Sequence, residues 1–148
     1  MIGILGVLAY AAVAPLQAPA MPGELSRLVE RANLGRVSGW CRAETRSRGR
    51  QAYAVAIGAN GGRYVALVSN SLVVELARYS DGAELSCYSR EEAQELDRSI
   101  SESEGIHGSI KPRWSTPVIC GFVDYTRAVC WQFSPGHNTY LKVGEWVT

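Results

Sequence analysis

Apolar residues alternate in short runs along most of this chain and switch to a helical spacing in two places. The clearest alternation lies in residues 116–133, where two β-branched and aromatic runs flank Asp124-Tyr125-Thr126-Arg127. This pattern predicts an antiparallel hairpin whose Asp opens a type I turn. A three-residue loop would want positive φ near Thr126, which a β-branched side chain resists, so an even loop pairing Val123 with Ala128 is expected. Side chains alternate across a strand, so Val118, Cys120, Phe122, Val129, Trp131 and Phe133 would then share one face while Cys130 takes the other.

Residues 52–59 and 62–69 flank Asn60-Gly61 and predict a second hairpin with a two-residue turn. That turn sets Tyr53, Val55 and Ile57 beside Tyr64, Ala66 and Val68. It leaves Ala52, Ala54 and Ala56 with Val65 and Leu67 on a face suited to close approach by a helix. Residues 37–43 and 139–147 read as further strands. Residues 72–79 fit a strand through Leu72, Val74 and Leu76, the reading adopted, although Leu72, Leu76 and Tyr79 also fit a helix. Asp81-Gly82 would turn the chain into 84–88.

Helical spacing marks residues 24–34, through Leu25, Leu28, Val29 and Ala32, and residues 90–104, through Ala93, Leu96 and Ile100. The second segment carries a capping box in Ser89 and Glu92, with Tyr88 placed to staple onto Ala93 and Gly105 to stop the helix. The expected fold is α+β: a mainly antiparallel sheet with two helices.

Four cysteines, Cys41, Cys87, Cys120 and Cys130, predict two disulfides. The even register separates Cys120 from Cys130, leaving each to pair with Cys41 or Cys87, and Cys87 with Cys120 is the preferred bridge. An odd loop would restore a bridge between Cys120 and Cys130. An oxidising compartment agrees with the N-terminus. Residues 1–23 carry no charged side chain, the apolar run 2–14 has the length of a signal-peptide core, and Ala18-Pro19-Ala20 offers a cleavage site. No Lys or Arg precedes the run, so a retained anchor is the alternative. Residues 1–20 are read as a signal peptide and 21–148 as one periplasmic or secreted domain with no membrane span. Removing 20 of the 148 residues leaves 128, enough to bury roughly two-thirds of the unfolded surface.

A formal net charge of +1 says nothing strong about a polyanionic partner, so there is no strong nucleic-acid signal. Charge is uneven all the same: residues 24–63 hold eight Arg against three Glu, and residues 75–104 hold nine acids against three Arg. Arg46, Arg48 and Arg50 recur at period two, which reads as a solvated hairpin tip or as a recognition surface for phosphate or carboxylate groups.

No phosphate loop, Cys-x-x-Cys, His-Glu-x-x-His or Gly-x-Ser-x-Gly occurs, two histidines offer little to zinc, and nothing calls for a cofactor. The sequence therefore favours a non-catalytic domain, inhibitor- or immunity-like, that binds a protein partner. Arg46, Arg48, Arg50, Trp114 and Tyr125 are its candidate contacts, with Trp40 and Trp146 to be examined for exposure. One alternative is a small secreted hydrolase of the ribonuclease type, using His107 or His137 as acid or base with Glu75, Arg78 and Arg113. A structural envelope protein is another.

Overall fold

The computed structural model describes residues 20–43, 51–68, 72–81 and 83–148. The expected signal segment, apart from Ala20, and Arg46, Arg48 and Arg50 lie outside the described residues. Helix α1 (Gly23–Arg31) precedes four strands, β1 (Val37–Arg42), β2 (Ala52–Ile57), β3 (Gly62–Val68) and β4 (Leu72–Tyr79). These form an antiparallel meander in the order β1-β2-β3-β4. The chain then gives β5 (Leu85–Tyr88), α2 (Arg90–Glu102), β6 (His107–Ile110), β7 (Val118–Phe122), β8 (Arg127–Ser134) and β9 (Thr139–Val147), whose strands make a second antiparallel sheet, β5-β7-β8-β9-β6. The α+β class and both helices match the sequence reading. The single expected sheet is replaced by two stacked ones. Strand β4 belongs to the first sheet and β5 to the second, so the two do not pair as a hairpin; Gly82 of the expected turn lies outside the described residues.

Four layers result. Leu25, Leu28 and Val29 of α1 pack on Tyr53, Val55, Ile57, Val65 and Leu67, the outer face of the first sheet. Ala93 and Ile100 of α2 pack with Val118, Cys120, Ala128, Cys130 and Trp146, the outer face of the second. Between the sheets, Ala52, Ala54, Ala56, Tyr64 and Ala66 meet Ile119, Val129, Trp131, Phe133 and Tyr140. Small alanines on one sheet make room for large aromatics on the other. The alanine face of β2 thus receives a sheet, not the helix that its small residues suggested.

That exchange follows from the register of the β2–β3 hairpin. Ala54 pairs with Ala66 and Ile57 with Arg63, one residue away from the two-residue-turn alignment. Gly58 and Gly61 both hold positive φ, 102° and 96°, and so permit a longer loop. Tyr79 Oη fixes this loop by donating to the carbonyls of Ile57 (3.0 Å) and Gly58 (2.8 Å).

The same one-residue slip occurs in the β7–β8 hairpin and overturns the expected disulfides. Cys120 pairs directly with Cys130 and bonds to it, while Cys41 bonds to Cys87. Neither the preferred Cys87–Cys120 bridge nor its companion Cys41–Cys130 is formed. The loop is odd because Asp124 Oδ1 accepts from Thr126 N (2.9 Å), Arg127 N (2.8 Å) and Thr126 Oγ1 (3.0 Å). This carboxylate shapes the turn with Thr126 at negative φ, so the steric objection to an odd loop does not arise. The Cys41–Cys87 bridge joins β1 to β5, tying the two sheets together along one edge.

Candidate functional site

The β7–β8 hairpin ends in the tip Asp124-Tyr125-Thr126, and several bonds hold that tip still. Val123 N donates to Arg127 O (2.9 Å), Ser80 N to Val123 O (3.1 Å) and Thr148 N to Thr126 O (2.8 Å). Backbone and hydroxyl donors of Thr126, joined by Arg127, keep the Asp124 carboxyl below its ordinary range despite slight opposing desolvation. The Cys120–Cys130 bridge closes the hairpin behind the tip. Tyr125 projects from this braced frame with 77% of its surface exposed. Among the described residues Tyr125 is the most exposed of the large hydrophobic side chains, and it stands on a turn fixed by these bonds.

Strand pairing extends this surface. Val147 of β9 lies opposite Arg127 of β8 on one side and His107 of β6 on the other. Directly paired residues point to one face, so Arg127, Val147 and His107 form a row across three strands beside the tip. Val147 is 41% exposed, and Arg127 and His107 are exposed. Two candidates named from the sequence, Tyr125 and His107, therefore share one end of the second sheet. Arg127 and Val147 were missed; Arg127 follows the Asp turn directly, which was the available signal.

The other candidates are dispersed. His137 lies in the β8–β9 turn, at the opposite end of β9 from His107, about 26 Å away along the strand. Its Nδ1 lies 2.8 Å from Ser134 Oγ. Glu75 and Arg78 sit on β4 in the other sheet, where Glu75 meets Arg63 (3.6 Å) and Arg78 (3.3 Å). Arg113 and Trp114 belong to the segment after β6. Their N–H groups donate to Gln132 Oε1 at 2.8 and 3.2 Å, and Trp114 is half-buried beneath α2. Trp40 packs edge-on to Tyr53, and Trp146 is buried against Phe122. The acid, base and Arg clamp of a ribonuclease-like site are thus divided between layers and ends.

A second concavity, of about 740 Å³, runs along the seam where β1 and β5 form neighbouring edges, with Met21, Val37, Trp40 and Leu85 in its wall. Among the described residues no group of three His, Cys, Asp or Glu side chains is placed to hold a metal ion. Among the same residues no helix is long and apolar enough to cross a membrane. No protein-family model, curated protein or solved structure matches the chain.

Proposed function

We propose that this is an exported, disulfide-stabilised domain that acts by binding a protein partner, with Tyr125 as the anchor and Arg127, Val147 and His107 beside it. The observation that carries the reading is Tyr125 itself, 77% exposed on a tip braced by three hydrogen bonds to Asp124 and a disulfide behind it. Tyr and Arg dominate binding hot spots, and a preorganised tip loses little entropy on docking. Two disulfides suit an oxidising compartment, periplasmic or extracellular, and cleavage after Ala20 would release a chain beginning at Met21. Intact mass of the exported protein tests that cleavage.

The test of function is capture of partners from periplasm and culture medium, followed by affinity measurements on Tyr125→Ala and Arg127→Ala. Loss of a hot-spot side chain weakens binding by about thirtyfold, so each variant should fall by that order while circular dichroism stays unchanged. Captured partners that bind both variants at full strength would remove the tip from the interface. RNA cleavage by the wild type that disappears in a folded His107→Ala, His137→Ala variant would replace the binding reading with the hydrolase.

A further inference from the structure

Arg63 of β3 and Arg78 of β4 are direct cross-strand partners, so their side chains leave the sheet on the same face. Like charges placed this way repel, and the arrangement costs stability unless an anion lies between them. Among the described residues one carboxylate, Glu75, meets the two guanidiniums. Glu75 Oε2 is 3.6 Å from Arg63 Nη1, and Glu75 Oε1 is 3.3 Å from Arg78 Nε. The triad keeps a net charge of +1, and Glu75 engages Arg78 through Nε, which leaves its terminal nitrogens, on a side chain 82% exposed, to face outward. Beside the two arginines lies a pocket of about 450 Å³, bounded by Ile57, Gly61, Gly62 and Tyr79. Its walls are well fixed: Gly61 sits in the β2–β3 loop that Tyr79 pins, and Ile57 belongs to the layer under α1.

We infer that this pocket binds a compact oxyanion, a phosphate or carboxylate group, clamped between Arg63 and Arg78, with Glu75 acting as the internal competitor that the ligand displaces. Guanidinium forks match such oxyanions in shape and charge, and two converging forks give more than a point charge would. The apolar side chain of Ile57, the cross-strand partner of Arg63 on β2, lies on the same face and would border a carrier attached to the anion. This site is separate from the Tyr125 tip and does not depend on it.

The experiment is calorimetric titration of the folded protein with inorganic phosphate and, in parallel, with phenyl phosphate. Saturable binding that weakens as salt rises is expected. Arg63→Ala with Arg78→Ala should lower affinity by about tenfold or more, since it removes both charged donors. Glu75→Gln should raise affinity several-fold, because it removes the competing carboxylate and leaves both arginines in place. That increase separates a built site from general attraction to surface charge. Phenyl phosphate binding more tightly than phosphate assigns the site to an anion on an apolar carrier, and equal affinities assign it to the free oxyanion. No saturable binding, or binding indifferent to both sets of substitutions, would overturn the inference.

Discussion

Gln132 is fully buried and uses its whole amide. Its Oε1 accepts from the N–H groups of Arg113 and Trp114, and its Nε2 donates to the carbonyls of Trp114 (2.8 Å) and Thr116 (2.6 Å). One side chain thereby fastens the irregular segment between β6 and β7 to the second sheet. Gln132→Leu would strand two N–H groups, each costing about 1–3 kcal/mol if left unpaired, so urea denaturation should show a loss of about 2–6 kcal/mol. Asp97 does a similar task for α2, accepting from Ile110 N (2.7 Å) and Lys111 Nζ (2.6 Å). Burial pushes this carboxyl up, but the bonds from Lys111 and Ile110 outweigh it and hold the group below its ordinary range. A carboxyl depressed in the folded state contributes stability above its unfolded pKa and loses it as pH falls through the folded one. Asp97→Asn should therefore cost about 1 kcal/mol at neutral pH, discounted for the solvent around Lys111. Wild type and variant should converge in acid, which parallel urea titrations would reveal. None of these side-chain partnerships was legible beforehand, because each joins residues from separate elements and carries no local spacing.

The elements themselves were more readable. In α2 the capping box is complete: Ser89 Oγ accepts from Glu92 N (3.1 Å) and Glu92 Oε2 accepts from Ser89 N (2.7 Å). Ser89→Ala should cost about 1 kcal/mol, read as a shift in the urea midpoint. Caps of this kind act within one turn, so the sequence displays them. The strand over residues 72–79 was legible for the same reason, through alternation. Registers were not, because a hairpin's register is set by the exact loop length, and here polar bonding and glycine decided it. Asp124 made the β7–β8 loop odd and Gly58 lengthened the β2–β3 loop, each moving a whole set of side chains to the other face. The Cys120–Cys130 pairing followed from the β7–β8 slip. Strand β6 was not among the expected strands because His107-Gly-Ser-Ile110 lacks an apolar alternation; it exists because its backbone pairs with β9. Tyr125 was legible as a candidate contact because a turn signal places its residues in solvent, whereas Arg127 and Val147 join it only through the pairing of β6, β8 and β9.

Across the molecule, Cys41–Cys87 is the covalent link between the two sheets, and both its residues are only half-buried. Cys120–Cys130 lies buried beneath α2 within one sheet. The first closes a separation of 46 residues and the second one of 10, which the chain-entropy model converts to about 4 and about 2.7 kcal/mol. Cys41→Ser with Cys87→Ser should lower stability by about 4 kcal/mol, measured by denaturation without reductant. Accessible bridges exchange faster, so limited reduction with peptide mapping should open Cys41–Cys87 first. Mapping that recovers Cys87 linked to Cys120 would contradict the observed register. The two helices have a further effect, since each covers the outer face of a sheet whose inner face is already covered by the other sheet. The surface left uncovered is largely the perimeter, its turns, edges and corners, where the proposed Tyr125 contact and the proposed Arg63 and Arg78 pocket both lie. Side chains on that perimeter carry little of the packing, so their identity can drift at almost constant stability. A binding surface of the proposed kind would therefore be free to change while the four layers beneath it stay the same.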